Sequence, residues 1–439
     1  MPNLLKGSKK LLNAWAFYDW ANSVYSLVIA SAIFPIYYQA LFKVADITTI
    51  SIFGGAIRST PLISYTTAAA FLLVAFISPL LSGIADYVGN KKNFMKFFCY
   101  LGALSCMGLY FFSLENIHIS LLFYFFGLVG FWGSLVFYNS YLPDVAFPEQ
   151  QDRVSARGYS MGYIGSVILL LFNLGMVMFP KYFGFGEEEG ASMQAMRWSF
   201  VTVGIWWILF SQYSFYFLPK GNKSEKKVTA KILLNGFREL KSVYSSLSEN
   251  IQLKRFLAAF FVYSMAVQTV MLVATYFGEQ EIDWGGDDAK LLGLIVSILI
   301  IQLVAVIGAV LTSRASEKFG NIPVLIVINI IWVGICIVAF FIEIPIQFYI
   351  TAGFVGLVMG GIQSLSRSTY SKFLPETKDT TSYFSFYDVA EKIGIVIGML
   401  IYGFIDQITG SMRNSILFLI IFFITGVFLL LRVPRNKNH

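Results

Sequence analysis

The sequence predicts an all-α integral membrane protein: twelve transmembrane helices in two pseudo-symmetric six-helix bundles. Three observations predict it. Of 439 residues, 57% are hydrophobic and 13% charged, and the mean hydropathy is +0.69. A soluble chain carries about a quarter charged residues, so this one has too few to coat a water-facing surface. Second, apolar runs long enough to span a bilayer recur along the whole chain. Third, two loops of the first half reappear in the second.

A helix rising ~1.5 Å per residue needs about 20 apolar residues to cross a ~30 Å hydrocarbon core. That length selects residues 14–40, 61–84, 94–114, 119–142, 158–180 and 198–218, then 256–277, 291–312, 322–344, 347–371, 383–408 and 414–431. Lipid offers backbone groups no water, so these runs must be helices. The first is too long for a cleaved signal peptide. The expected domains are therefore a bundle at 1–218, a cytosolic linker at 219–255 and a second bundle at 256–439.

Of the 32 lysines and arginines, 25 fall on the side that holds both tails and the linker, and six on the other. Lys392 alone lies mid-span. Cytoplasmic loops carry the basic excess, which places both termini in the cytosol. The net charge of +7 therefore reads as attraction to an anionic leaflet rather than to nucleic acid. In the linker, Ile232, Leu233, Phe237, Leu240, Val243, Tyr244 and Leu247 recur at helical spacing with Lys231, Arg238 and Lys241 between them. A basic amphipathic helix on the leaflet and a solvated helix bridging the bundles both fit.

The composition excludes several function classes. Cys99, Cys106 and Cys336 lie inside apolar runs and form no framework or metal spacing. The two histidines, His118 and His439, are too few and too far apart for a catalytic or metal centre. No catalytic residue, metal or other cofactor is expected. No phosphate-binding Gly-x-x-x-x-Gly-Lys-Ser/Thr run exists, against an ATP-driven pump. A multispan membrane enzyme or a sensor remains the alternative to a transporter.

The repeat lies in corresponding loops. Ser82 to Asn90 aligns with Ser313 to Asn321, matching Asp86 with Glu317 and Gly89 with Gly320. Pro148-Glu149 with Asp152 and Ser155 aligns with Pro375-Glu376, Asp379 and Ser382. Parallel six-helix repeats about an axis normal to the membrane explain both matches.

Polar residues inside spans are the candidate chemistry. Asp19, Asn22, Ser23 and Ser26 make one stripe on span 1, while Gln268 and Gln302 fall near the midplane. Asn173 and Asn329 are further candidates. Gly356, Gly360, Gln363 and Arg367 share a face of span 10, and Asp388, Glu391 and Lys392 crowd span 11. A charge in the bilayer costs ~2.5–3.5 kcal/mol or more, so each should face a cavity or a partner. Polar side chains also serve simply to join packed helices. Asp19, Arg367 and Lys392 sit at comparable depth and could close the inner mouth as ion pairs, with Arg367 taking a carboxylate. The rival reading has Asp388 neutralise Lys392 within one helix turn.

Asp86-x-x-Gly89-x-Lys91-Lys92 resembles the signature loop of the major facilitator superfamily. Gly89 permits a turn with positive φ, and the lysines are expected to hold the turn at the leaflet. Ser82 stands where the usual leading glycine would be. The resemblance implies that the loop locks the bundles in one state. A narrower resemblance covers nearly the whole chain. Tyr18-Asp19-Trp20-Ala21-Asn22-Ser23, Tyr138-Asn139 with Leu142-Pro143-Asp144, and Arg157-Gly158-Tyr159 look like the vacuole-effluxer family. So do Gly360-Gly361 through Gln363, Ser366 and Arg367 to Tyr370, and Phe384 and Tyr387 followed by Lys392.

This resemblance implies a secondary transporter of a small polar solute working by alternating access. Members include exporters of neutral amino acids, so amino acids are the candidate substrate, with a proton or another ion for coupling. A monomer in the cell (inner) membrane of a bacterium is expected. The candidate substrate- or ion-binding residues are Asp19, Asn22, Ser26, Asn139, Gln268, Gln302, Gln363, Arg367, Glu391 and Lys392. The candidate gating loops use Asp86, Gly89, Lys91, Lys92, Glu317 and Gly320.

Overall fold

A computed structural model describes residues 4–52, 54–188, 190–220, 235–246, 249–377 and 379–434. Its long helices are α1 (Lys9–Val44), α2 (Ser59–Val88), α3 (Lys91–Gly108), α4 (Ile117–Asn139), α5 (Pro148–Met178) and α6 (Ala191–Phe217). Then come α7 (Ile251–Glu281), α8 (Asp287–Phe319), α9 (Asn321–Phe341), α10 (Pro345–Phe373), α11 (Thr380–Thr409) and α12 (Met412–Leu431). Eleven of these are long and apolar enough to cross a membrane by length and composition. The other, α11, is 30 residues long and carries Asp388, Glu391 and Lys392 in its first half. Each expected span therefore falls on a helix. Several helices start earlier than the apolar runs, as α5 does at Pro148 rather than residue 158. Polar turns outside the hydrocarbon continue the backbone ladder, and an apolar ruler cannot register them.

The chain divides into two compact units. One is Met1–Asn139 with Met161–Leu233; the other is Ser140–Ser160 with Leu234–His439. In the first, α3 and α4 cross at Gly102 and Gly130, where a Cβ on Gly130 would collide with the Gly102 backbone. Gly162 and Gly165 abut Ser23 and Trp20 of α1 in the same way. In the second, α8 and α10 come closest, with Gly308, Gly356 and Gly360 each placed where a Cβ would strike the partner backbone. Lipid supplies no hydrophobic drive between helices, so close packing of small residues holds these pairs.

Two local features were not anticipated. Within α1 the helix widens to a π-helical stretch at Tyr25–Ala32. Pro35 lacks an N–H and its ring crowds the carbonyl four residues back, so the ladder must reorganise there. The Ser31 hydroxyl donates to the Ser26 carbonyl at 2.9 Å across the widened turn. Between α1 and α2 stands an antiparallel hairpin, β1 (Thr49–Ile52) and β2 (Gly55–Arg58), pairing Thr49 with Arg58 and Ile52 with Gly55. Of the expected linker helix, Asn235–Ser246 is helical. Residues 228–234 and Leu247 lie outside the described residues.

Candidate functional site

In the polar stripe of α1, Asp19 and Asn22 are buried and Ser23 and Ser26 half-buried. Asp19 is 4% exposed and accepts a hydrogen bond from the Tyr138 hydroxyl at 2.8 Å. Tyr138 in turn stacks on Trp15, with ring centroids 4.6 Å apart, and its carbonyl accepts from the Trp15 indole at 3.0 Å. The carboxylate thus sits among aromatic rings, with the Tyr138 hydroxyl donating to it. Asn22 is buried; its Oδ1 accepts from Ser23, and its Nδ2 has no partner among the described residues. The Ser26 hydroxyl turns back to the Ser23 carbonyl at 2.9 Å. Asn139 is half-buried at the last residue of α4.

The second unit holds a cluster of mixed charge on α11. Lys392, almost fully buried, donates to Asp388 Oδ1 at 2.7 Å and to Glu391 Oε2 at 3.1 Å. Glu391 Oε1 accepts from Gln268 Nε2 of α7 at 2.8 Å. Asp388 and Lys392 stand four residues apart, the spacing at which helical side chains meet. Asp388 Oδ2 is buried with no hydrogen-bond partner among the described residues. An unsatisfied carboxylate oxygen beside an ammonium and a second carboxylate can accept a proton or a cationic ligand group. Gln302 is half-buried on α8 and belongs to neither network, and Gln363 is half-buried one turn before Arg367.

Arg367 faces the start of α5. Its Nε donates to the Ser155 hydroxyl at 2.9 Å and an Nη donates to the Ser155 carbonyl at 3.0 Å. Its guanidinium lies 4.2 Å from the Tyr159 ring centroid, a cation–π distance. Nearby, the Asp152 carboxylate is 3% exposed in its side chain and accepts from Lys372 at 2.6 Å, Ser316 at 3.0 Å and Asn321 at 2.9 Å. Asp152, Lys372, Ser155 and Tyr159 were not among the expected site residues. The repeat at Pro148–Ser155 marked Asp152 and Ser155, but nothing local names partners some 160 or more residues away.

The gating loops differ from expectation in one respect. Gly89 and Gly320 both take positive φ, +68° and +82°. Gly89 closes α2 and Gly320 opens α9. Asp86 and Lys91 are half-buried, and Glu317 is exposed. Lys92, however, is not spread on the leaflet. It is buried and its ammonium donates to the Leu218 carbonyl at the end of α6, at 2.6 Å. Carbonyls at a helix C-terminus lack intrahelical donors and carry partial negative charge, so this cation caps α6. Among the described residues no group of His, Cys, Asp or Glu could hold a metal ion.

Residues 7–439 match the protein family described as Vacuole effluxer Atg22 like. The chain belongs to this family. It is 31% identical to the MFS-type transporter YxiO of Bacillus subtilis, over 99% of this chain and 97% of that protein. It is 25% identical to autophagy-related protein 22 of Eremothecium gossypii, over 85% of this chain and 78% of that one. Among solved structures, the Escherichia coli fucose:proton symporter superposes with a TM-score of 0.65 at 16% identity, covering 97% of this chain and 98% of that one. The proton:xylose symporter XylE gives 0.68 at 13% identity, over 97% and 95%. These establish the twelve-helix major facilitator fold. With the family, they make this effluxer-like chain a multi-pass membrane transporter of the secondary type and not an enzyme.

Proposed function

We propose that the chain moves a small zwitterionic solute, with amino acids as the substrate class, across the cell membrane of a bacterium by alternating access coupled to a proton. The observation that carries this reading is the α11 cluster. Asp388, Glu391 and Lys392, joined by Gln268, offer both signs of charge to a ligand that carries both. A neutral sugar needs hydrogen bonds but no such ions, and keeping three charges in hydrocarbon costs several kcal/mol unless they are used. The unsatisfied Oδ2 of Asp388 is where the coupling proton or the solute's ammonium would add. Within the first unit Asp19, Asn22, Ser26 and Asn139 are the candidate binding residues, and within the second Gln363 and Arg367 join the α11 cluster as candidates. The basic asymmetry supports cytosolic termini, and the description of the family as effluxers supports export. The Asp86 and Glu317 loops are the conformational latches of this reading.

Proteoliposomes loaded with a radiolabelled amino-acid mixture test it. Wild-type protein should release label faster than empty vesicles, and an imposed pH gradient should change the rate. Asp388→Asn and Lys392→Gln should each abolish release while the protein still reconstitutes. Amino-acid release at the level of empty vesicles, alongside exchange of a sugar, would sink the substrate class. Reporter fusions at Lys223 and His439 check the topology: both should report from the cytosol.

A further inference from the structure

A groove of about 510 Å³ opens on the outer surface of the second unit, between α8, α9 and the middle of α10. Gly308, Thr312 and Ala315 form its floor along α8, and Val324 and Ile328 of α9 form one wall. Its origin is the tight α8–α10 crossing. Gly308 meets the Leu357 backbone there, and the small residues that follow at one-turn spacing leave a trough. Gly308 to Phe319 spans about 16 Å at ~1.5 Å per residue, roughly half a ~30 Å hydrocarbon core. Leu311, Phe319 and Val327 on its rim are exposed, so the trough faces the lipid tails.

The trough ends in positive charge. Lys318 holds its ammonium 5.2 Å from the centroid of Phe319, which lines the mouth. Arg314, one turn earlier on the same face of α8, is exposed, as is Glu317, so the charges on the last turns of α8 sum to plus one. The N-terminus of α9 starts at Asn321 beside this mouth, adding unpaired backbone N–H groups and the positive end of a helix dipole. An apolar channel of leaflet depth with a cationic end matches one kind of molecule. We propose that the groove binds an anionic phospholipid, with an acyl chain lying along Thr312 and Ala315 and the phosphate at Lys318, Arg314 and the α9 N-terminus. The site is separate from the α11 cluster and does not depend on which solute is moved.

Native mass spectrometry of the purified full chain, titrated with phosphatidylglycerol or phosphatidylcholine, tests this. Wild-type protein should retain one phosphatidylglycerol at concentrations where phosphatidylcholine is lost. A basic side chain at a membrane surface contributes about 1 kcal/mol toward an anionic lipid. Arg314→Gln with Lys318→Gln should therefore weaken retention about thirtyfold, and both positions are exposed enough to leave folding intact. Ala315→Leu should block the trough and abolish retention of the single tight lipid even with both cations present. Equal retention of the two lipids by the wild type would overturn the proposal. So would unchanged phosphatidylglycerol retention in both variants, or a dimer that Ala315→Leu dissociates, which would assign the groove to a second copy.

Discussion

Two loops with the same sequence pattern, Pro148 to Ser155 and Pro375 to Ser382, meet opposite fates in this molecule. Asp152 of the first is buried and takes donors from Lys372, Ser316 and Asn321. Asp379 of the second is exposed at the start of α11, with no side-chain cap on that helix. Ser155 is gripped by Arg367 from another helix, and the Ser382 carbonyl accepts the local hydroxyl of Ser385. The repeat therefore preserved a pattern and not an interaction. A carboxylate is costly to bury unless paired and hydrogen-bonded, so what separates the two loops is whether the fold brings donors. It does so for the segment Ser140–Ser160, which packs within the second compact unit.

The largest expected effect is at Asp152. Asp152→Asn removes the charge facing Lys372 and turns one acceptor into a donor against donors. The loss should be about 3 kcal/mol, the low end for breaking a buried pair, because Lys372 is 23% exposed in its side chain and can swing to water. A thermal unfolding series in detergent, with several ligand-free conditions, would read it as the largest fall among these variants. If Asp379→Asn falls as far, the contrast between the loops is wrong.

A double-mutant cycle sharpens the same point. Asp152→Asn combined with Lys372→Met should be less damaging than the two single changes summed, with a coupling of roughly 1–3 kcal/mol. Additive losses would mean that Lys372 does not act through Asp152.

Arg367→Lys comes next. A lysine keeps the charge but loses the planar contact with Tyr159 and cannot serve the Ser155 hydroxyl and carbonyl with one fixed fork. Stability should drop by about 1–2 kcal/mol, and Tyr159→Leu should remove most of the difference between arginine and lysine. Equal stability of Arg367→Lys and wild type would deny the stack any part in holding α5.

The smallest effect is expected at Asp379→Asn, within about 0.5 kcal/mol of wild type, as for surface substitutions away from special features. Thermal unfolding checks it alongside Asp152→Asn, and the gap between the two measures how far the loops have diverged.

Some of the candidate site was legible because its logic is local. Asp388 and Lys392 pair at helical spacing, a contact that needs no tertiary information. Gly89 and Gly320 take positive φ because the turns between antiparallel helices demand it and glycine alone adopts it freely. Lys92 was misplaced for the converse reason. A lysine in a short loop belongs by statistics on the leaflet, but here the end of α6 lies within its reach and its C-terminal carbonyls need a donor.

By itself, the sequence determined the solvent, the number of crossings and the family. Apolar runs of spanning length have one backbone solution in lipid, and the polar residues within them announce where chemistry can sit. Tertiary structure alone decided the partners. Asp19 meets Tyr138 across 119 positions and Asp152 meets Lys372 across 220. It alone also produced the apolar trough beside the α8–α10 crossing. Helical periodicity specifies which residues share a face, since that follows from 3.6 residues per turn. Which helix presents itself to that face depends on packing small residues against distant backbones, and no local pattern encodes that choice.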